Sequence, residues 1–212
     1  MYTPNHFQET DNTKLLGLLR ANPLGTLVVA TETGLLVNHI PFVADVAKNK
    51  VCRLRAHVPR ANPLTSELSA ARDAVVIFQG ANGYISPSWY ATKPVHGKVV
   101  PTWNYAVVHM HGSICIRDEA DWVEAQLEEL TQQNESARPA PWSVADAPAD
   151  YIKRMIAALV GLEVTVTRIE GKTKASQNQP AENQASVLAA LESEQPASEL
   201  LAMMRTALED TD

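Results

Sequence analysis

Three short apolar runs, separated by turn-forming segments, most constrain how this chain can fold. They occupy residues 24–31, 35–43 and 51–57, and turns are predicted at residues 32–34 and 46–50. The runs are rich in β-branched residues, which favours strands, and the short connections favour hairpins. Three consecutive strands of this kind predict an antiparallel sheet that closes into a barrel or a sandwich.

The rest of the chain adds further strands and helices to this prediction. Strands are predicted at residues 74–79, 106–116 and 162–170, with a turn at residues 80–83. Helices are predicted at residues 12–21, 64–71, 150–159, 183–191 and 198–208, and another begins near Asp118. The expected N-terminal caps are Thr10 or Asp11, Asn62 and Asp118. The chain should therefore fold as one sheet-based domain over residues 1–180, followed by a helical extension over residues 181–212.

Composition limits the partners and the compartment. The 212 residues are 45% hydrophobic and 20% charged, as in ordinary globular proteins. The formal net charge of −6, without any run of Lys or Arg, argues against attraction to DNA. Cys52 and Cys115 lie far apart without a CxxC pattern, so reduced thiols are expected. No apolar run is long enough to span a membrane and the first residues do not resemble a signal peptide, so we expect a cytoplasmic protein.

An aromatic stretch at residues 83–105 interrupts the periodic pattern. It holds two of the four Trp residues and three of the five Tyr residues among several Pro and Gly residues. Such a stretch between two strands can form the floor or lid of a site for a flat ligand. It can equally be a hydrophobic plug that covers the end of a barrel. The residues alone leave both interpretations open.

Two basic segments are candidate anion sites. Arg60 and Asn62 precede a short helix, where an Arg fork and the helix amides could hold a phosphate. Lys172 and Lys174 share one face if the last strand continues, beside the polar residues 176–178. The alternatives are an ordinary surface Arg with a helix-capping Asn, and a solvated lysine face.

Histidines do not indicate a metal site. His109 and His111 are two residues apart on a predicted strand, but no Cys or carboxylate lies at a fitting spacing, so we predict no metal. No hydrolase, nucleotide-triphosphatase or dinucleotide-binding motif is present either. The sequence therefore provides no candidate catalytic side chain.

Several sequence motifs together resemble a known family. HVPRANP, FQGANGYISPSWY, VPTWNYAVVHMHG and GKTKASQN occur in the order and at about the distances typical of PaiB-type FMN-binding negative transcriptional regulators. MYTPNHF and NHIPF match as well. The resemblance implies a mainly β fold with flanking helices (α+β), a six-stranded antiparallel Greek-key split barrel. It also implies a homodimer whose flavin sites lie at the subunit interface.

The resemblance further implies a set of residues that bind FMN. Arg60, Asn62, Lys172, Lys174, Ser176 and Gln177 would contact the phosphate, and Tyr84, Ser86, Trp89, Tyr90, Trp103 and Asn104 would line the isoalloxazine pocket or the dimer contact. His57 is included as a cofactor contact. Some positions depart from the family pattern, notably Gln179, which stands where an Arg is expected.

Three functions from different classes are compatible with this resemblance. The first is a flavin-binding regulator, which the net charge suggests acts indirectly and without binding DNA. The second is an FMN-dependent oxidoreductase or flavin reductase, in which the flavin carries the redox chemistry. The third is a haem-binding or haem-degrading protein that uses His57, His109 or His111 as an axial ligand.

Overall fold

The predicted hairpin of the first two long strands is confirmed in a computed structural model that describes residues 1–32, 34–68 and 70–209. Strand β2 (Leu24–Thr31) pairs antiparallel with β3 (Gly34–Pro41), from Leu24 opposite Pro41 to Thr31 opposite Gly34. The predicted turn at residues 32–34 includes Thr33, which lies outside the described residues. The alternation of buried and exposed side chains along β2 fits a strand with one face in the core.

The described residues form an antiparallel sheet of eight strands, two more than predicted. The remaining strands are β1 (Gln8–Glu9), β4 (Val43–Ala47), β5 (Lys50–Pro59), β6 (Arg72–Ile85), β7 (Thr102–Arg117) and β8 (Leu159–Lys174). Their order is β3-β2-β6-β7-β8-β5-β4, and β1 pairs with β8. Neighbours such as β2 and β6 are therefore far apart in sequence. The fold class is mainly antiparallel sheet with flanking helices, as predicted.

The two additional strands have simple causes. Strand β1 is only two residues long, too short for a periodic pattern, and it pairs Gln8 with Lys172. Strand β4 lies where the sequence predicts part of a strand and then a turn. The turn itself is confined to Lys48 and Asn49, and both have positive φ angles, of 51° and 57°. Two-residue hairpins of the type I′ class require this backbone.

The predicted turn at residues 80–83 is wrong, because β6 runs through it without interruption. Two glycines explain the misleading pattern. A Cβ atom on Gly83 would lie 2.6 Å from a methyl group of Leu200, and one on Gly80 would lie 3.4 Å from Leu18. At Gly83 the glycine thus permits the close approach of another segment, and at Gly80 a Cβ would only just fit; neither glycine makes a turn.

Seven α-helices lie among the described residues. They are α1 (Asn12–Ala21), α2 (Leu64–Glu67), α3 (Lys93–His96), α4 (Ala120–Glu135), α5 (Ala149–Ala157), α6 (Ala181–Glu194) and α7 (Glu199–Glu209). Asp11 caps α1 as predicted, since its Oδ1 accepts the Thr13 N–H at 2.7 Å. Helix α2 is shorter than predicted, and Ser69 lies outside the described residues. Helix α4 begins after Glu119, not at Asp118, which is engaged in an ion pair instead.

The chain divides into two compact units, each with its own buried side chains. Unit 1 comprises Met1–Ala21, Gln79–Val108 and Glu170–Asp212, and unit 2 comprises Asn22–Phe78 and His109–Ile169. In unit 2, Phe42 and Phe78 pack edge to face in the core. In unit 1, residues of β6 and the aromatic stretch pack with α6 and α7, as described below. Over the described ranges, none of the helices is both long and apolar enough to cross a lipid bilayer.

Candidate functional site

The thirteen residues predicted to bind the cofactor divide between the two units. Unit 1 holds ten of them: Tyr84, Ser86, Trp89, Tyr90, Trp103, Asn104, Lys172, Lys174, Ser176 and Gln177. Unit 2 holds the other three: His57, Arg60 and Asn62.

Lys172 and Lys174 lie near the end of β8, which continues through the basic segment. Lys172 is only 8% exposed; its Nζ donates to the Tyr2 carbonyl at 3.2 Å and lies 5.2 Å from the centre of the Tyr105 ring. The Nζ of Lys174 donates to Thr102 Oγ1 and lies 6.0 Å from the Phe7 ring centre. Over residues 1–32, 34–68 and 70–209, neither ammonium forms an ion pair with a carboxylate.

The electrostatics of this lysine pair favour an added anion. Desolvation by burial lowers the pKa of Lys174, the neighbouring charge of Lys172 lowers it further, and Tyr105 opposes the shift. Burying two like charges without a counter-charge is costly, and an anion placed between such groups offsets that cost. The arrangement is therefore suited to a phosphate or carboxylate group.

The neighbouring polar residues of unit 1 are mostly engaged in holding the chain. Asn104 is fully buried, and its Nδ2 donates to Ser176 Oγ at 2.9 Å and to Met204 Sδ at 3.3 Å. Gln177 accepts the Ala175 N–H at 2.7 Å and donates to the Thr173 carbonyl at 2.8 Å. Ser176 is itself buried, with a positive φ of 66°. These hydrogen bonds fix the conformation of the loop after β8.

Part of the aromatic stretch is core, which agrees with the plug interpretation. Tyr90 is buried in a cluster with residues of α6 and α7, and burial raises the pKa of its hydroxyl. Trp89 packs against the same cluster, and its Nε1 donates to Glu194 at 2.9 Å. Ser86 caps a single helical turn by accepting the Ser88 N–H. Tyr90 and Trp89 therefore attach the C-terminal helices to the stretch.

Tyr84 and Trp103 are different, because both are exposed. Their side chains are 48% and 55% accessible, and the rings pack edge to face with centres 6.3 Å apart and planes at 70°. An exposed aromatic pair of this kind offers a flat apolar surface to a ligand or to another protein chain. Within the stretch, the lid interpretation therefore applies to these two side chains.

In unit 2, the three predicted residues already have protein partners. Arg60 forms an ion pair with Asp118, and its Nε donates to the Ala157 carbonyl at 2.9 Å. The hydrogen bond from Arg60 lowers the pKa of Asp118. Asn62 accepts the Leu64 N–H at 3.0 Å, as expected for a residue at the start of a helix. A phosphate at Arg60 would have to compete with the carboxylate of Asp118.

His57 is also engaged within unit 2. Its Nδ1 lies 2.7 Å from Oε1 of Gln126, a fully buried residue of α4. Because a neutral amide oxygen can only accept, this contact makes Nδ1 the protonated nitrogen of the ring. The ring therefore anchors α4 to β5.

The sequence alone does not indicate which groups contact the two lysines. Phe7, Thr102 and Tyr105 contact the lysine ammonium groups, and β1 pairs with β8 beside them. A signal was present, since MYTPNHF is among the motifs that carry the family resemblance. Tyr2 and Phe7 of that motif contact Lys172 and Lys174 directly, although they lie at opposite ends of the sequence.

Comparison with known proteins places this geometry in a family. The model of the family described as "Putative FMN-binding domain" matches residues 1–168, so the match ends just before the lysine pair. An uncharacterized protein of Emericella nidulans is 34% identical over 212 residues, with 84% of each chain covered. The Bacillus subtilis "Protease synthase and sporulation protein PAI 2" is 27% identical over 195 residues, which cover 92% of this chain and 91% of that protein.

A solved structure shares the fold. The FAD and heme binding protein from Mycobacterium smegmatis superposes with a TM-score of 0.61 at 18% identity, over 86% of this chain and 79% of that one. At this identity the similarity concerns the fold alone, which is of the split-barrel class. The chain therefore belongs to the family described as "Putative FMN-binding domain".

Proposed function

We propose that this protein is a PaiB-type regulatory flavoprotein that binds FMN. The observation that carries the proposal is the pair of lysines in unit 1, whose partly desolvated ammonium groups have no carboxylate partner among the described residues. FMN ends in a phosphate dianion, which is the kind of group that such a pair would bind. We expect Ser176 and Gln177 to position the loop beside this phosphate.

The aromatic residues would bind the isoalloxazine end of FMN. Tyr84 and Trp103 offer exposed ring faces to the flat isoalloxazine, whereas Trp89, Tyr90 and Asn104 would support them from the core. Arg60, Asn62 and His57 of unit 2 stay proposed cofactor contacts on the family resemblance alone. FMN would supply any redox chemistry when bound, and the residues of this chain would bind and orient it.

The test is a titration of the purified protein with FMN, followed by the quenching of flavin fluorescence. Lys174→Met should raise the Kd by about tenfold or more, because a charge-assisted contact is lost. Lys153→Met serves as the matched control, since Lys153 is an exposed lysine of α5 in unit 2. Equal affinity of Lys174→Met and wild type for FMN would contradict the proposed site.

The same preparation also tests the identity of the cofactor. The absorbance spectrum and the mass of any small molecule released from the protein distinguish FMN from FAD and from haem. We expect two broad flavin bands and the mass of FMN. An intense Soret band, or the mass of FAD, would contradict FMN as the cofactor.

We propose that regulation occurs without direct DNA contact. The chain carries a net charge of −6, and three of the five basic residues that could attract DNA are proposed to bind the flavin phosphate: Arg60, Lys172 and Lys174, but not Lys93 or Lys98. Non-specific DNA affinity comes largely from neutralised phosphates and falls steeply with salt. A labelled promoter fragment should therefore give no salt-sensitive shift, with or without FMN. A sub-micromolar complex that FMN disrupts would contradict indirect regulation.

We further propose a homodimer in the cytoplasm. A second copy would cover the exposed pair of Tyr84 and Trp103, with the flavin at the interface between copies. Cys52 and Cys115 are both free thiols, which fits a reducing compartment. A homodimer would also explain why large aromatic side chains stay accessible in a single chain.

A further inference from the structure

A groove in unit 2 runs between helices α4 and α5, and none of the residues that line it is among those proposed to bind FMN. Its volume is about 620 Å³. The lining residues of α4 lie within residues 120–128 and those of α5 within residues 149–157. Each of these stretches rises by about 12 Å along its helix. The α4–α5 groove is therefore long enough to hold about two turns of a further helix.

Most side chains that line the α4–α5 groove are apolar. Ile152 and Ile156 of α5 line it together with Val144 and five alanines. Small side chains of this kind leave space for larger apolar side chains of another molecule. Tyr151 and Met155 of α5 are 48% and 44% exposed, so the apolar surface of α5 continues outside the groove. An apolar surface of this extent typically contacts another chain.

Helix α4 adds three carboxylates to the groove, those of Asp121, Glu124 and Glu128. Their spacing of three and four residues places them along one side of the helix. All three residues are exposed, and none forms an ion pair within the described part of the chain. A carboxylate in the first turn stabilises a helix, which explains Asp121, but Glu124 and Glu128 lie further along and repel each other. A cation from another molecule would relieve this repulsion.

The charge of the groove indicates what kind of chain fits it. Lys153 is the only cation among the lining residues, so three carboxylates and one ammonium give a net charge of −2. A two-fold contact between two such grooves would bring like charges together, which argues against a second copy of this chain. Amphipathic helices bind in apolar grooves through their apolar face, and charges along the groove select the partner.

We propose that the α4–α5 groove docks a basic amphipathic helix of a partner protein. The apolar face of that helix packs on Ile152 and Ile156, and its Lys or Arg side chains pair with the carboxylates of α4. This interaction does not depend on the proposed binding of FMN. It gives the protein a surface for a protein partner, in addition to its proposed cofactor site.

The test is the binding of a labelled peptide to the full-length protein, measured by fluorescence anisotropy at low ionic strength. The peptide has about 18 residues, all Leu or Lys, with the leucines on one face of the helix. A second peptide of the same composition has its leucines spread around the helix and measures binding by charge alone. We expect the first peptide to bind about tenfold more tightly than the second.

Charge substitutions in the groove locate the binding. The double variant Glu124→Lys and Glu128→Lys should raise the Kd of the first peptide by about tenfold, and Lys153→Glu should lower it several-fold. The matched control is the double variant Glu182→Lys and Glu209→Lys. Both of these acids are exposed residues of unit 1, and their substitution changes the net charge by the same amount. The control should leave the Kd within about twofold of wild type.

A substitution without a change of charge tests the apolar part of the groove. Ala145 is exposed and lines the groove, so Ala145→Trp should fill part of it and weaken peptide binding. Equal effects of the groove and control variants, equal affinity for the two peptides, or no peptide binding by the wild type would overturn the proposal. Altered sedimentation of the groove variants with unchanged peptide affinity would assign the groove to a second copy of the chain and would also overturn it.

Discussion

At the scale of single residues, the lysine pair of β8 differs most from ordinary surface lysines. Both ammonium groups contact aromatic rings and uncharged oxygens in place of carboxylates. Contacts of this kind do not neutralise the positive charge as a carboxylate would. We propose that an anionic ligand supplies the counter-charge that this pair lacks among the described residues.

The lowered pKa of Lys174 predicts how FMN binding depends on pH. Its ammonium loses the proton below the ordinary lysine value of 10.5, so FMN affinity should fall as the pH rises towards that value. In the FMN-free protein, the unfolded chain holds more protons than the folded one over the same pH interval. The free energy of unfolding should therefore rise with pH there. FMN titrations from neutral to alkaline pH, compared with Lys174→Met, measure the effect. A fall of equal size in Lys174→Met would exclude Lys174 as its cause.

The ion pair between Arg60 and Asp118 in unit 2 predicts that substitutions of its two members change the affinity for FMN in opposite directions. If Arg60 binds the FMN phosphate, Asp118→Asn removes the competing carboxylate and should tighten FMN binding by roughly two- to fivefold. Arg60→Ala should weaken binding by about tenfold. Fluorescence titration of both variants measures these changes. FMN affinity that is unchanged in both would leave Arg60 with its structural role alone, as a link between β5 and the end of α5.

At the scale of elements, two glycines predict opposite changes in stability. A Cβ atom on Gly112 of β7 would lie 2.1 Å from the carbonyl oxygen of Thr165 in β8, so Gly112→Ala should destabilise the protein by more than about 2 kcal/mol. Gly17 of α1 has no heavy atom within 4 Å of that position, and Gly17→Ala should stabilise the protein by about 0.5–1 kcal/mol. Urea unfolding of the two variants measures both. A stable Gly112→Ala protein would show that β7 and β8 can separate locally.

The elements also show how far sequence reasoning can reach. The alternation of residues predicts the last strand over residues 162–170, because that signal is local, but β8 continues to Lys174, beyond the predicted end. The burial of Tyr90 could not be predicted, since the residues that bury it come from α6 and α7, far along the chain. The glycines of β6 misled the prediction for the same reason: the side chain that requires Gly83 is the distant Leu200.

At the scale of the whole molecule, the exposed aromatic pair predicts the state of association. Wild type should sediment as twice the 23.1 kDa chain at micromolar concentration. Trp103→Lys should shift the equilibrium to the monomer, because it places a charge in the proposed interface. Trp142→Lys is the control, since Trp142 is 47% exposed but lies in unit 2. A monomeric wild type, or a dimeric Trp103→Lys variant, would contradict this interface.

The hairpin between β4 and β5 offers a way to raise the thermal stability of the protein. Lys48 and Asn49 both adopt a left-handed backbone that asparagine and glycine accept more readily than lysine. Replacing the two residues by Asn and Gly should therefore raise the Tm by a few degrees, from about 0.5–1 kcal/mol of relieved strain. A thermal shift assay would measure the gain. The natural sequence thus has an accessible route to greater thermostability far from any residue proposed to bind a ligand.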